Sequence, residues 1–482
     1  MTRNLSRRDV VRLGASLCCL GPATRWTLFE EVSDDEVRVL AAARELARGG
    51  RRELRLLIPE GCQANLVENI GRFEALTDVR ILIESVPVDE VSLHLTLDAA
   101  AGDNRFDIAL PATFRLPDLV ESEVLLALDE LATEYEPDTL SSGFLYRHGD
   151  RYKGRFYGYQ ADGDVYVAFY NRRMLEDEAL GRDFERRFGR PLETPRTWAE
   201  LDSALEFFHA PNRGRFGGAL FRNVEYSAWE WWTRFHAKGL APFDADFRPQ
   251  IDVDEGVVAL EEMIGASKYL TKGARTHTLF ENWDDFATGN VFCDVGWGGT
   301  QKYLRQRIDG GDEALLHAAL PGGQRGAEVC PIPYFNWGWN YVVAKHSAEP
   351  ELAYLFTLFC SLPAPSTRAV AARDGFFDPH REEHYADAAV RETYGDAFLE
   401  VHADSMRRAL PDLYVERGTE YFDLLRRLVV RADRGEVTPR DALHAVSYGW
   451  EKLTEEIGRE RQIERWGELR AAYPTEISGF LG

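Results

Sequence analysis

The sequence predicts an α/β protein that folds as two lobes, and three observations lead to this prediction. In the N-terminal third, stretches typical of strands alternate with stretches typical of helices, the pattern of a mainly parallel sheet flanked by helices. The chain has 482 residues, more than one ordinary hydrophobic core organises. Several apolar stretches end in glycine-rich or polar loops, and ligands bind beyond the carboxyl ends of strands in such sheets. We therefore expect binding residues at strand ends.

The first α/β unit is preceded by a short helix. Apolar residues recur at helical spacing in Asp34–Arg48, which predicts an amphipathic helix ahead of the main fold. The unit itself then reads strand, helix, strand, helix, strand. Its predicted elements are Leu54–Ile58, a helix with Leu66, Ile70, Phe73 and Leu76 on one face, Val79–Ile83, Val91–Ala101 and Phe106–Leu110.

A turn and a series of helices follow. Asp162-Gly163-Asp164 interrupts a long aromatic and β-branched stretch, and Asp-Gly is typical of a tight turn. We expect this turn to separate the first α/β unit from the rest. Thr197 and Glu200 have the spacing of a capping box at the start of a helix. Further helices are predicted for Val253–Ala266, Pro350–Leu362 and most of 397–472.

Two loops combine tryptophan with glycine. Val291, Cys293 and Val295 alternate as one face of a buried strand that ends in Gly296-Trp297-Gly298-Gly299. Glycine lets the backbone bend sharply and approach a ligand, while an indole offers a flat apolar face. The second loop is Asn336-Trp337-Gly338-Trp339-Asn340. These loops predict a site for a small polar molecule held against aromatic rings.

Composition excludes several classes of partner. The net charge is −23, so the protein should repel nucleic acid and anionic membrane surfaces. A mean hydropathy of −0.35 and the lack of any apolar run of about 18 residues argue against direct membrane insertion. The scattered cysteines and histidines do not form a metal-binding pattern, and no P-loop or nucleophile elbow is present. We expect no metal site, no cofactor, no catalytic residues and a monomer.

The N-terminus is typical of an export signal. Arg7-Arg8 precedes a short apolar stretch, Leu13–Leu20, as in the twin-arginine signal. We assign residues 1–25 to this signal and residues 26–51 to a linker that contains the amphipathic helix. The expected location is therefore the periplasm or the exterior of the cell.

Five segments, in order along the chain, resemble the sugar-type extracellular solute-binding proteins of ABC transporters, the family that includes maltose-binding protein. Pro195-Arg-Thr-Trp-Ala-Glu-Leu201, for example, is similar to the family's P-x-T-W-x-E-L pattern. The five segments are Phe106–Asp129, Asp164–Leu175, Pro195–Leu201, Phe286–Val291 and Pro350–Phe356. The resemblance covers about 54–480. The additional N-terminal helix and the tryptophan density of residues 229–232 depart from the family's pattern.

The resemblance implies two α/β lobes of the type II periplasmic-binding-protein fold, with a ligand cleft between them. One lobe would contain 52–163 and 297–340, and the other 164–296 and 341–482. It also implies acidic ligand contacts at the turn between the lobes and a loop around Arg373 that closes over the cleft.

The candidate ligand-binding residues combine aromatic faces with hydrogen-bonding groups. Packing explains Trp229 and Trp232 as well as ligand binding does, because they are three residues apart on a predicted helix, and ordinary turn chemistry explains Asp162 and Asp164 equally well. The full set is Glu60, Gln63, Thr113, Asp162, Asp164, Glu225, Tyr226, Trp229, Trp232, Trp297, Gly298, Gly299, Trp337, Trp339 and Arg373.

We predict an exported receptor that captures a sugar, oligosaccharide or polyol and delivers it to an ABC transporter permease. Two alternatives remain at this point. One is a carbohydrate-active lyase or hydrolase that uses Asp162, Asp164 or Asp294 as acid and base. The other is a binding protein that presents its ligand to a signalling receptor.

Overall fold

The computed structural model describes residues 32–49, 52–335 and 338–481. The predicted export signal and Trp337 therefore lie outside the described residues. Compact packing divides the described chain into two units: unit 1 contains 32–162 and 338–390, and unit 2 contains 163–335 and 391–481.

The strands are short except for the first two. In chain order they are β1 (Arg52–Pro59), β2 (Val79–Val86), β3 (Ile108–Ala109), β4 (Arg151–Tyr152), β5 (Arg155–Phe156), β6 (Gly158–Gln160), β7 (Val167–Asn171), β8 (Phe216–Ala219), β9 (Val291–Gly296), β10 (Leu315–Ala319), β11 (Gly323–Arg325), β12 (Glu328–Cys330), β13 (Tyr334–Phe335), β14 (Asn340–Val343) and β15 (Leu410–Pro411).

Helices account for most of the remaining elements. In chain order they are α1 (Asp34–Leu46), α2 (Gln63–Thr77), α3 (Val91–Ala101), α4 (Leu116–Glu121), α5 (Asp129–Tyr135), α6 (Arg172–Leu175), α7 (Glu178–Phe188), α8 (Trp198–Phe208), α9 (Ser227–His236), α10 (Asp254–Ala266), α11 (Leu279–Ala287), α12 (Gly298–Arg307), α13 (Pro350–Ser361), α14 (Pro363–Ala371), α15 (Glu382–Ala386), α16 (Ala388–Tyr394), α17 (Asp396–Arg408), α18 (Gly418–Asp433), α19 (Pro439–Ile457), α20 (Arg459–Ala471) and α21 (Thr475–Leu481).

Unit 1 is built on a five-stranded sheet in the order β2-β1-β3-β14-β6. Strand β1 pairs in parallel with β2 and β3, as the strand–helix alternation predicts. Strand β14 pairs antiparallel with β3 and β6. Its first residues therefore lie at the same edge as the carboxyl ends of β1, β3 and β6.

Unit 2 contains a four-stranded sheet in the order β10-β7-β9-β8. Only β8 and β9 are parallel, whereas β7 is antiparallel to both of its neighbours. Every residue of β7 is buried, as expected for a sheet covered on both faces. Helices α9, α10, α18 and α19 pack on one another beside this sheet.

The expectation of mainly parallel sheets is wrong, because both sheets are mixed. The parallel prediction came from the alternation between residues 52 and 110, which holds for β1, β2 and β3. The antiparallel strand β14 joins the same sheet from more than 200 residues away, and local sequence patterns carry no signal for such a pairing.

The division of the chain also differs from the expected one. The first boundary lies between Asp162 and Gly163, one residue from the expected position. Residues 297–335 belong to unit 2 rather than to the first lobe, because β10 pairs with β7 in the unit 2 sheet. Residues 338–390 belong to unit 1, because β14 completes its sheet.

The predicted N-terminal helix is present as α1. Ser33 and Glu36 form a capping box, in which the Glu36 N–H donates to the Ser33 hydroxyl at 3.1 Å. Val39 and Ala43 are buried, and α1 packs against α2 and α13. Arg368 of α14 adds an ion pair to Glu36 at 3.2 Å. This helix is therefore part of the core of unit 1.

No helix among the described residues combines the length and the apolar composition that are needed to cross a membrane.

Candidate ligand-binding site

The predicted tryptophan loop lies at the strand edge of unit 2. Strand β9 ends at Gly296 and helix α12 begins at Gly298, so Trp297 occupies the junction between them. Its backbone N–H donates to the Thr300 hydroxyl at 3.0 Å. Gly296 is opposite Val167 in the sheet, so Trp297 lies beside the residue that precedes β7, which is Tyr166.

Four aromatic side chains gather at this edge, and we call them the aromatic platform: Tyr166, Tyr226, Trp229 and Trp297. The ring centroids of Tyr166 and Trp297 are 4.6 Å apart, and those of Tyr226 and Trp229 are 5.8 Å apart. Trp297 also lies 6.2 Å from Tyr226 and 6.4 Å from Trp229. These separations are typical of interacting aromatic pairs. The platform unites side chains from the N-terminal part of α9, from the residue after β9 and from the residue before β7.

The buried carboxyl group of Asp412 interacts with residues that contact the platform. Burial raises the pKa of Asp412 to about 6, although the Tyr334 hydroxyl, the Leu413 N–H and Arg426 partly oppose the rise. Tyr334 stacks on Tyr166 with centroids 5.9 Å apart, and the Arg426 guanidinium lies 5.1 Å from the centre of the Trp229 ring. Tyr334 and Arg426 therefore contact rings of the platform, and both also interact with Asp412.

A small pocket with a cavity volume of about 30 Å³ adjoins the platform. Tyr166, Tyr226 and Trp229 form part of its wall, and the other lining residues come from the surrounding strands and helices. These other residues are Trp198, Leu220, Phe221, Glu230, Thr233, Val295 and Leu320. All ten residues belong to unit 2.

The charged residue of this pocket is held by two arginines. The carboxylate of Glu230 accepts hydrogen bonds from Arg222 at 2.6 and 3.1 Å and from Arg234 at 2.9 Å. Burial alone would raise the pKa of Glu230, but the two guanidinium groups outweigh it and lower the pKa. Asp202 forms a second bidentate pair with Arg234, at 2.7 and 2.9 Å. Glu230 is therefore ionised, and its carboxylate is hydrogen-bonded to Arg222 and Arg234.

Unit 1 brings three predicted residues to its own strand edge. The Thr113 N–H donates to the Gly338 carbonyl at 2.9 Å, and Trp339 pairs with Ala112 in a β-bridge. Gly338 has a φ of +63°, and a Cβ atom there would meet the carboxylate of Asp162 at 2.7 Å. Glycine is therefore required at this position. Thr113, Asp162 and Trp339 all lie within this edge.

The hydroxyl of Thr113 is part of an internal network. Thr113 and Asn340 share a short side-chain hydrogen bond, and Asn340 donates to Asp150 at 2.8 Å. Arg147 donates to the other carboxylate oxygen of Asp150 at 2.9 Å. Burial raises the pKa of Asp150 to about 6 against the opposing effect of Arg147. Through its hydrogen bond to Asn340, Thr113 thus helps to hold the strand edge of unit 1 in position.

The remaining unit 1 candidates lie in two segments joined by Asn65. The side chain of Asn65 accepts from the Phe376 N–H at 2.9 Å and donates to the Ala369 carbonyl at 2.7 Å. This connects the start of α2, where the exposed Gln63 follows the exposed Glu60 of the preceding loop, to the loop that contains the exposed Arg373. Gln63 also accepts from the Gly61 N–H at 2.9 Å.

Some predicted residues stand apart from the platform. Trp232 is buried in the core and packs on Phe422 at 5.3 Å and on His236 at 4.9 Å. Glu225 is exposed. Gly298 and Gly299 form the first turn of α12 and are buried. Asp164 is half-buried, and its charge raises the pKa of Tyr166 after the larger effect of burial.

Sequence reasoning missed four residues of this region: Tyr166, Tyr334, Asp412 and Arg426. For Tyr166 a signal existed, because it faces away from Val165 and Val167 in an alternating stretch next to the predicted turn. The other three come from distant parts of the chain without a local motif.

The mixed sheets, the helices around them and an aromatic site at a strand edge define a two-unit α/β binding protein. This chain belongs to the family of bacterial extracellular solute-binding proteins, whose pattern it matches over residues 60–363. The chain has no match among the curated proteins.

Several solved structures share this fold, and their descriptions name maltose, acarbose or D-mannitol as a bound molecule. Maltose-bound MalE3 of T. maritima is 19% identical with a TM-score of 0.70, covering 83% of this chain and 99% of that chain. The GacH receptor of Streptomyces glaucescens, solved unliganded and with acarbose, is 18% identical with a TM-score of 0.70, covering 84% and 98%. A solute-binding protein of Agrobacterium vitis with bound D-mannitol is 17% identical with a TM-score of 0.69, covering 84% and 99%.

Proposed function

We propose that this protein captures a sugar, an oligosaccharide or a polyol and delivers it to the permease of an ABC transporter. The observation that carries the proposal is the aromatic platform, in which Trp297 at the end of β9 meets Tyr166, Tyr226 and Trp229. The maltose, acarbose and mannitol bound by the structural relatives support the same ligand class.

Aromatic rings suit such ligands for a physical reason. The C–H groups on one face of a sugar ring are weakly positive, and they meet the negative face of an aromatic ring. By analogy with the stacking of bases on aromatic side chains, each contact contributes about 1–3 kcal/mol. Hydroxyl groups of the ligand then need polar partners, and Asp164 beside Tyr166 is a candidate acceptor in unit 2.

In unit 1 we propose the edge formed by Thr113, Asp162 and Trp339 as a second ligand-contacting surface. Trp339 is flanked by Phe377 with ring centroids 6.2 Å apart, and Asp162 accepts the Asp378 N–H at 2.5 Å. The exposed side chains of Glu60, Gln63 and Arg373 extend this surface. These groups offer both hydrogen-bond donors and acceptors for hydroxyls.

The proposed mechanism is binding without chemical change. Asp294, one of the three acids that the enzyme alternative could use, is fully buried and exposes no surface to a glycan. Its carboxyl group accepts from the Val295 N–H at 2.8 Å and from Asn282 at 3.2 Å. Burial raises the pKa of Asp294 well above its ordinary value.

We further propose export by the twin-arginine route and action as a monomer in the periplasm or outside the cell. The Arg7-Arg8 pair ahead of Leu13–Leu20 supports this route. Replacing both arginines with lysine should retain the protein in the cytoplasm, and cell fractionation measures the outcome. Unchanged export of the double variant would exclude the twin-arginine route.

Thermal unfolding against a panel of monosaccharides, oligosaccharides, polyols and sugar acids tests the ligand class. A ligand that binds only the folded state adds about 2.7 kcal/mol of stability at a hundredfold excess over its Kd. We expect one chemical class to raise the midpoint. Unfolding midpoints that no member of the panel changes would contradict the sugar assignment.

A further inference from the structure

Asp412 follows directly after β15, in a small group of paired strands that reaches the aromatic platform. Strand β15 pairs in parallel with β13, and the Asp412 N–H donates to the Phe335 carbonyl at 3.0 Å. On the other side of β13, the Tyr166 N–H donates to the Tyr334 carbonyl at 2.9 Å. The backbone of Asp412 is therefore connected to that of Tyr166 through one short strand.

The side chain of Asp412 interacts with groups that belong to the platform or contact it. Burial raises the pKa of Asp412, and three side chains partly oppose the rise by stabilising the charged form. These groups are the Tyr334 hydroxyl, the Arg426 guanidinium and the Trp229 indole N–H. Tyr334 stacks on Tyr166 with ring planes 19° apart, and Arg426 lies over the Trp229 ring. One buried carboxyl group is thus linked to two of the four platform rings.

The other titratable groups that face Asp412 are tyrosines. Burial raises the pKa of Tyr166, Tyr334 and Tyr473, and the charge of Asp412 adds to the rise in each of them. Arg426 on α18 is the cation that acts on Asp412. Phenols with raised pKa values and a guanidinium group keep their protons at neutral pH. Asp412 is therefore the member of this set whose charge changes between pH 5 and pH 7.5.

Protonation of the carboxyl group weakens its three side-chain interactions together. A neutral carboxyl group accepts hydrogen bonds less strongly from the hydroxyl and the indole N–H, and it no longer attracts the guanidinium. The rings that these groups hold then gain freedom. A molecule that stacks on the rings has to restrict this freedom again, which lowers its affinity.

We infer that Asp412 is a positioning residue for the sugar site: its ionised carboxylate holds the platform in the arrangement that binds, and protonation of this carboxylate weakens binding. The inference rests on the proposed function, because it assigns the sugar to the aromatic platform. Binding then favours the ionised carboxyl group and releases a proton where the free protein still holds one.

Calorimetric titrations between pH 5 and pH 7.5 test the inference. The probes are maltose, D-mannitol and the compound of the thermal panel that raises the unfolding midpoint most. The pKa of Asp412 is about 6, so acidification from pH 7.5 to pH 5 should raise the wild-type Kd by up to about tenfold. The reason is that about nine-tenths of a group is protonated one unit below its pKa.

Asp412→Asn connects this pH profile to the carboxyl group. Asparagine keeps an oxygen that accepts the Leu413 N–H, which lies 2.8 Å from the Asp412 carboxylate, but it carries no charge at any pH. Its Kd should match that of acidified wild type and stay constant between pH 5 and pH 7.5. Asp404→Asn, at an exposed position on α17, is the matched control and should keep the wild-type profile.

Tyr334→Phe provides a second test that does not depend on the folding of Asp412→Asn. The substitution removes the hydroxyl that stabilises the charged carboxylate and keeps the ring that stacks on Tyr166. The pKa of Asp412 should rise further, so the midpoint of the Kd profile should move to higher pH.

Each other result has a defined meaning. A wild-type Kd that stays constant with pH would overturn the inference and leave the sugar function standing. The same holds if folded Asp412→Asn keeps the wild-type pH profile, or if the midpoint in Tyr334→Phe does not move. If no compound binds at any pH, the proposed function and the inference both fall.

Discussion

Trp297 gains its position from the residues around it. The end of β9 at Gly296 and the start of α12 at Gly298 leave the indole between Tyr166 and Trp229. The sequence predicts a ligand role for Trp297 because glycines flank it and no helical stripe explains it. Tyr166 completes the contact from the neighbouring strand, and its role becomes evident only from the register of β7 and β9.

Helical spacing says less about the roles of Trp229 and Trp232 than the flanking glycines say about the role of Trp297. Both are buried on α9, and they differ in their neighbours. Trp229 belongs to the platform and packs on Trp297, whereas Trp232 packs on Phe422 and His236. Residues three apart lie on adjoining parts of a helix surface, so the sequence alone could not separate a core position from a pocket position.

The carboxyl group of Asp412 provides a prediction at the scale of one residue. Its pKa is raised to about 6 in the folded protein, above its value in the unfolded chain, so the folded state holds the proton more firmly. The resulting stabilisation is complete below about pH 4 and is lost as pH rises through 6. Asparagine does not titrate, so Asp412→Asn does not lose this stabilisation as pH rises.

The free energy of unfolding of Asp412→Asn relative to wild type should therefore increase between pH 4 and pH 7, by about 3 kcal/mol at most. Urea unfolding of both proteins at several pH values measures this difference. Asp404→Asn, at an exposed position on α17, is the control and should show a nearly constant difference. A difference for Asp412→Asn that stays constant with pH would contradict the assignment.

At the scale of elements, local sequence signals located the helices well. The capping box of Thr197 and Glu200 is confirmed, with the Glu200 N–H 3.2 Å from the Thr197 hydroxyl. The helices predicted from Val253 and Pro350 begin within one residue of the expected positions. Capping and periodicity depend on neighbours within a few residues, which a single sequence shows directly.

Sheet pairing was not accessible in the same way. The mostly helical prediction for 397–472 holds, but non-helical residues interrupt it at 409–417, where β15 pairs with β13, and at 434–438. Strands β13 and β15 contribute two residues each and are separated by more than 70 residues. Short strands with distant partners lack a period that a sequence pattern could reveal.

The cap of α8 gives a prediction for an element. Thr197→Ala removes the acceptor of the Glu200 N–H and should lower the free energy of unfolding by about 1 kcal/mol. Chemical denaturation measures the change. Ser203→Ala on the same helix leaves the cap intact and should change the stability by less than about 0.5 kcal/mol. Equal effects of the two substitutions would show that the capping box does not stabilise α8.

At the scale of the whole molecule, buried histidines determine the response to acid. Burial lowers the pKa of six histidines in the part of the chain that the structure describes, to about 3 for His380 and His402 and to about 4 for His236 and His317. The pKa of His148 is also lowered, and that of His384 lies well below its ordinary value. Their contribution to stability is complete above pH 6.5 and is lost as pH falls toward their folded pKa values.

Three buried carboxyl groups act in the opposite direction, because their raised pKa values make them release protons on unfolding. They are Asp150, Asp294 and Asp412. At pH 5 the six histidines outnumber them, so unfolding should take up protons net and stability should fall on acidification. The slope of the unfolding free energy against pH measures this net uptake. A net release of protons at pH 5 would contradict the burial of these histidines.

The central claim is reversible sugar binding at the aromatic platform, and one titration tests it most directly. Isothermal titration calorimetry would compare wild type, Trp297→Ala and Trp283→Phe with the ligand that most raises the unfolding midpoint, followed by chromatography of the recovered ligand. Trp283 is buried between Phe280 and Tyr303, so its conservative substitution controls for the loss of a tryptophan elsewhere.

We expect Trp297→Ala to weaken binding roughly 5- to 150-fold, the equivalent of about 1–3 kcal/mol. Trp283→Phe should bind like wild type, and the ligand should be recovered unchanged. Wild-type affinity in Trp297→Ala, or a chemically altered ligand, would contradict the account.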